Sequence, residues 1–144
     1  AEIERTMHRN YPAVVERLRH ESKTWAIVGL SPDPSRTSHR IAAYLQGEGY
    51  RIIPVNPTAS GEILGETVVP SLDAIDEPID VVDVFRRSAL AGEVVDAAIA
   101  AGAKAVWMQL GVIDEDAARR AHEAGLDVVI DTCPKMLFPA IPRR

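Results

Sequence analysis

The chain predicts an α/β domain in which a doubly wound parallel sheet lies between two helical layers, a three-layer αβα arrangement. Three observations predict it. Five apolar, β-branched runs at 25–30, 51–55, 81–85, 103–108 and 127–130 alternate with stretches of helical spacing. The runs carry few charges, as strands covered on both faces must. The succession strand, helix, strand then repeats along the chain, which right-handed crossovers turn into a parallel sheet.

Each element follows in order. Asn10 is placed to cap a first helix, about 11–20, with Pro12 in its first turn and Tyr11, Val14, Val15 and Leu18 at i, i+3, i+4 and i+7. The first strand runs to Gly29, where a polar, proline-punctuated loop leads to a helix at 38–46 with Ile41, Ala42 and Leu45 on one face. Residues 57–78 break the rhythm, because Gly61, Gly65, Pro70 and Pro78 enclose only brief apolar pieces. That stretch predicts a loop, a short edge strand near 66–69 and one or two helical turns from Ser71. Ser88 is read as the cap of a helix carrying Ala91, Val94, Val95 and Ala98, closed by Gly102. Asp114 starts the next, with Glu115 and Asp116 where the dipole favours them, and Gly125 closes it. A start in mid-sheet favours the order 3-2-1-4-5 with the last strand at the far edge. The whole chain, 1–144, reads as one domain with its core at about 24–131 and a short C-terminal tail.

Bulk composition narrows the classes of function. With 47% hydrophobic residues in 144, the chain has the material for one real core. Its net charge of -5 and pI near 5.3 disfavour nucleic acid as a partner. No apolar run approaches the ~20 residues that cross a bilayer, and the N-terminal residues Ala1 to Arg5 are charged, so neither a membrane nor a targeting segment is expected. The single cysteine, Cys133, forms no internal disulfide and no zinc-ligand spacing, which fits a cytoplasmic setting and no metal. The Ala-rich helices are compatible with a homo-oligomer or a protein partner, if Leu or Trp side chains are exposed on them.

Ligands of such sheets bind beyond the carboxyl ends of the strands, where the strand order reverses. That rule selects 29–39, 54–57 and 85–88. In the first, Gly29 allows close approach at the turn after Val28, and Leu30 leads into Ser31, Ser35 and Ser38. Those hydroxyls and the amides from Thr37 onward suit phosphate oxygens. Arg36 adds a bidentate cation, with His39 and Arg40 in the first helical turn beside it. The second segment, Val55-Asn56-Pro57, equally suits a nucleotide wall and a plain turn. It lacks the acidic residue that usually holds an NAD ribose, and Arg51, at the start of its strand, points away from the site. In the third, Val84 and Phe85 offer an apolar face and Arg86 and Arg87 a positive rim, with Arg87 also readable as solvated. Gln109 and Gly111, after Trp107, are placed to line the same cleft.

No catalytic constellation emerges. His8, His20, His39 and His122 show neither H-E-x-x-H spacing nor a nucleophile elbow, and Asp80 and Asp83 flank a strand. An NADP-type oxidoreductase, an acyl-group enzyme using Cys133 or His39, and an interaction subunit on the same scaffold stay open as alternatives.

Four ordered motifs carry a family resemblance: Val28-Gly29-Leu30-Ser31-Pro32-Asp33-Pro34-Ser35-Arg36, Tyr50-Arg51-Ile52-Ile53-Pro54-Val55-Asn56-Pro57, Val81-Val82-Asp83-Val84-Phe85-Arg86 and Val106-Trp107-Met108-Gln109-Leu110-Gly111. They resemble the stand-alone CoA-binding proteins, which are similar to the N-terminal domain of the succinyl-CoA synthetase α subunit. The resemblance implies a Rossmann-like fold holding coenzyme A across the carboxyl edge of the sheet. It implies the loop from Gly29 to Arg36 around the pyrophosphate, Val55, Asn56 and Pro57 along the nucleotide, and Val84, Phe85 and Arg86 about the adenine. The synthetase resemblance also implies a second domain with a phosphorylated histidine. This chain ends about fourteen residues after 130. A non-catalytic carrier, sensor or regulatory module is therefore the expectation.

Overall fold

The computed structural model describes residues 10–143, so the charged residues 1–9 lie outside it. Its elements are α1 (Pro12–Glu21), β1 (Thr24–Val28), α2 (Thr37–Gly47), β2 (Arg51–Val55), β3 (Glu62–Ile63), β4 (Glu66–Thr67), β5 (Val81–Val84), α3 (Ser88–Ala100), β6 (Ala105–Met108), α4 (Glu115–Glu123), β7 (Asp127–Val129) and α5 (Pro134–Leu137). Single 3₁₀ turns follow at Leu72–Ala74 and Phe138–Ala140. Five strands form one parallel sheet in the order β2-β1-β5-β6-β7. The chain starts in mid-sheet, winds outward to β2, returns past β1 and finishes at the far edge.

Counted over the five apolar runs the observed order is 2-1-3-4-5 and not the expected 3-2-1-4-5, because the third run, β5, lies beside β1 and the place outside β2 holds one bridge. Val69 pairs in parallel with Val55, donating its amide to the Pro54 carbonyl and accepting from the Asn56 amide with its own carbonyl. The expected edge strand instead forms the antiparallel β3-β4 hairpin, whose Leu64 and Gly65 both have positive φ, 55° and 79°. Two left-handed residues in succession suit the right-handed twist of a hairpin.

Strand residues alternate between two cores. One face carries Ala26, Val28, Val82, Val84, Val106 and Met108 under α3 and α4. The other carries Trp25, Ile27, Val81, Ala105 and Trp107 under α1, α2 and α5. Trp25 and Trp107 are both fully buried, so the exposed large apolar side chains among the described residues are Tyr11, Leu90, Leu110, Ile113, Met136 and Leu137. The C-terminal tail belongs to this second core, because Phe138 is fully buried between the two tryptophans.

Two caps differ from expectation. Tyr11, not Asn10, is the residue before α1. Asn10 instead pairs with both backbone groups of Ile130, at 2.7 and 2.9 Å, and so continues the ladder beyond β7 with a side-chain amide. Ser88 is the first residue of α3, and its hydroxyl accepts from the Ile113 amide at 2.9 Å. It fastens the loop after β6 to α3. Asp114 does cap its helix, accepting from Ala117 at 2.9 Å.

Candidate functional site

The carboxyl ends of β1, β2 and β5 meet at Gly29. Its amide donates to the Val55 carbonyl at 2.9 Å, while the Phe85 amide donates to Val28 at 2.9 Å. Gly29 has φ +92°, and a Cβ there would lie 2.3 Å from the Phe85 carbonyl oxygen. The glycine is thus required by the approach of the protein's own backbone, where the sequence suggested approach by a ligand.

Beyond this junction opens a cavity of about 550 Å³ lined by Gly29, Ser31, Arg36, Thr37, Ser38, Phe85, Arg86 and Gln109, with Leu110 and Val112 closing one side. Helix α2 begins at this wall. Its first internal backbone bond runs from Arg40 to Arg36, which leaves the amides of Thr37, Ser38 and His39 without a helical partner, and no acidic residue occupies the first turn. Arg36, Arg40, Arg86 and Arg87 form no ion pair with any described residue, whereas Arg17, Arg19, Arg51, Arg119 and Arg120 all do. These four unpaired arginines therefore all lie on the segments that follow β1 and β5, while Lys23, Lys135 and Arg143, also without an ion pair to a described residue, lie elsewhere in the chain. A second cavity, about 290 Å³, shares Arg86 and is walled mainly by apolar groups, among them Val28, Val55, Pro57, Leu72 and Val94.

The remaining residues of the sequence reading build the walls instead of lining the space. Leu30 and Val84 are buried in the core. The Leu30 carbonyl accepts from Asn56 Nδ2 at 3.0 Å, and the Asn56 side-chain Oδ1 accepts from both the amide and the hydroxyl of Thr58. Ser35 donates its amide and hydroxyl to Asp33, and these bonds, with a lesser contribution from the charge of Arg36, hold the Asp33 carboxyl below the usual carboxylate range. The His39 ring meets the Ser31 carbonyl at 3.0 Å through Nδ1, and Ser38 Oγ accepts from the Ser31 amide at 3.0 Å. This web fixes the loop without spending the α2 amides. Cys133 is buried, and Arg51 is committed at the opposite edge to Glu66 and Glu77, at 2.9 and 2.5 Å. Among the described residues, Arg51 is the cation of β2, and it is committed to these carboxylates. No described helix is long and apolar enough to cross a membrane, and no group of three described His, Cys, Asp or Glu residues could hold a metal.

One residue was misplaced by the sequence reading. Asp83 does not flank β5 but lies inside it, fully buried between Ile27 and Trp107, and neither carboxyl oxygen has a partner. An acidic residue in the middle of a strand covered on both faces is the signal that could have shown this. Burial pushes the Asp83 carboxyl well above the ordinary carboxylate value of 3.8. The native state then keeps a proton that the unfolded chain has released. Stability is full below the unfolded pKa and falls as pH rises toward the folded one. Relative to Asp83→Asn, the parent is expected to lose about 1.4 kcal/mol of unfolding free energy per pH unit across that interval. Urea titrations at several pH values read the difference, and parallel profiles would mean that Asp83 ionises normally in the fold.

The comparisons agree with this architecture. The family model for the CoA binding domain matches residues 23–139. The uncharacterized protein YneT of Bacillus subtilis (strain 168) is 43% identical over 124 residues, 86% of this chain and 91% of that protein. A hypothetical protein from Pyrococcus horikoshii OT3 superposes with a TM-score of 0.85 at 34% identity, over 94% of this chain and 99% of its own. The dinucleotide forming acetyl-coenzyme A synthetase 1 of Ca. Korarchaeum cryptofilum, in complex with phosphate and ADP, matches at 28% identity and a TM-score of 0.69, over 81% of this chain and 27% of that longer one. The four motifs and the parallel sheet that carries them thus mark this chain as a member of the CoA-binding domain family.

Proposed function

We propose that this chain binds coenzyme A, or an acyl-CoA, at the carboxyl edge of its sheet and acts as a non-catalytic carrier, sensor or regulatory module. The observation that carries the reading is the convergence of the α2 amides with the unpaired Arg36 and Arg86 on one cavity. Helix amides and guanidinium groups together are suited to a diphosphate. Arg36, Thr37 and Ser38 would hold it, and Arg86, shared by the two cavities, would meet a further phosphate. The apolar cavity beside Val55 and Pro57 has the lining an adenine needs. When bound, the coenzyme supplies a thiol that carries acyl groups. The chain's own residues bind and orient, since His39 faces a backbone carbonyl and the Cys133 thiol is turned into the core.

Titration calorimetry with CoA, dephospho-CoA and NAD tests this. CoA is expected to bind tightest. Arg36→Ala is expected to weaken it by roughly 10- to 100-fold, the worth of one charge-assisted contact. Lys104→Ala, at the opposite end of β6, should leave it unchanged. Equal affinities of the two variants, or no heat with CoA, would overturn the assignment.

A further inference from the structure

Gln109 follows β6 on the side of the sheet that carries Asp83. The register sets Asp83 opposite Trp107, so Gln109 stands one pleat further along the same face of the adjacent strand. Gln109 is itself only 4% exposed, and although it lines the larger cavity, its Oε1 is buried without a partner. Three oxygens, two from Asp83 in β5 and one from Gln109 just beyond β6, therefore lie buried with no donor from any described residue. Unsatisfied acceptors of this kind are costly, and one proton on Asp83 converts the set into a donor and its acceptor. Among the titratable residues of α1, α2 and α5, which cover this face, Arg19 is buried and His20, His39 and Tyr44 are half-buried, the rest being exposed. None of them shifts Asp83, whose carboxyl is raised well above its ordinary value by burial alone.

We propose that Asp83 is a positioning residue for the ligand site: its carboxyl donates to Gln109 Oε1 and thereby holds the Gln109 amide with its N–H groups toward the cavity. A glutamine anchored only by its backbone would turn either edge to the cavity. With Oε1 occupied from behind, the face presented to ligand is a pure donor, which suits the phosphate and carbonyl oxygens of a CoA-type molecule and complements the α2 amides across the cavity. The inference rests on the reading of the cavity as a CoA site, but its first half concerns the protein alone.

The test has a ligand-free arm and a ligand arm. In the first, carbon NMR of the Asp83 carboxyl and nitrogen NMR of the Gln109 side-chain amide, assigned with Gln109→Leu, are followed in the free protein. Asp83 is expected to stay protonated at neutral pH, and the Gln109 amide protons to exchange slowly in the parent and in Asp83→Asn but fast in Asp83→Leu. In the second arm, CoA affinity is expected to fall about tenfold in Asp83→Leu, matching Gln109→Leu, and to return to within about threefold in Asp83→Asn, whose amide still donates. Asp83→Leu should meanwhile unfold at a urea concentration no lower than the parent, because an apolar side chain replaces a buried acid, so a loss of binding is not a loss of fold. An ionised Asp83, an amide insensitive to Asp83→Leu, or equal CoA affinities in Asp83→Leu and Asp83→Asn would each overturn the proposal. If the NMR pair holds while the parent gives no heat with CoA, the coupling of Asp83 to Gln109 stands and the ligand assignment fails.

Discussion

Phe138→Ala is expected to cost about 3–5 kcal/mol, the range for truncating an aromatic side chain at a closely packed site. Phe138 is fully buried although it comes after the last strand and helix. Its ring stands edge-on to Trp107 at 5.5 Å and to Trp25 at 6.0 Å, and lies 6.0 Å from Tyr50. Three large, stiff rings cannot close the space left by a fourth. The loss also reaches a buried charge, for the Arg19 guanidinium sits 4.9 Å above the same ring and is itself only 2% exposed. Arg19 keeps its place through Glu48 at 2.6 Å and the Ile141 carbonyl at 2.6 Å, the latter on the turn that Phe138 opens. Freeing that turn would loosen a ligand of a buried cation, and such a cation is tolerated only while its bonds are complete. Met136→Ala, two residues earlier but 70% exposed, is the control and should change stability by less than about 0.5 kcal/mol. Urea midpoints at constant slope compare the two. A loss below about 1 kcal/mol for Phe138→Ala would mean that the C-terminal turn is not part of the core.

The same residue shows where the sequence stops being legible. The five strands are readable because both faces of a parallel sheet are buried, which forces unbroken apolar runs. Helices α2, α3 and α4 are readable because each presents one stripe to one core. The segment from Pro134 to Ala140 has neither pattern, only two prolines and a few apolar residues, so the burial of Phe138 is a tertiary fact with no local signal. The hairpin turn at Leu64-Gly65 lacks the Asn-Gly or Asp-Gly pair that advertises such turns. Asn10 had the right type for a cap, yet a better partner lay 120 residues away at Ile130. At the site, the strand-end rule selected Gly29, Arg36, Phe85 and Arg86, which line one cavity together with Gln109, because topology alone decides what meets at a switch point. Which hydroxyls are consumed inside the loop, as Ser35 is by Asp33, depends on turn geometry that residue types do not encode.

Gly29→Ala is expected to cost about 3 kcal/mol or more and to abolish measurable CoA binding. Two costs add. A φ of +92° strains any L side chain by about 1–2 kcal/mol, and the new methyl would fall 2.3 Å from the Phe85 carbonyl oxygen and 3.2 Å from its carbonyl carbon. The obstacle is backbone, so relief requires β1 and β5 to separate. Separation would break the bond from Phe85 to Val28 and misplace the one from Gly29 to Val55, which together pin three strands at the carboxyl edge. Phe85 and Arg86 would move with β5 while Arg36 and the α2 amides moved with β1, so the cationic groups would no longer converge. Gly61→Ala isolates the conformational part, since Gly61 has φ +77° but open space where a Cβ would go. It should lose only about 1–2 kcal/mol and keep its CoA affinity. Urea titrations give the stability difference between the two variants, and calorimetry gives the affinity difference. If Gly29→Ala were no worse than Gly61→Ala in both, the close passage of β5 behind Gly29 would not be what holds the site together.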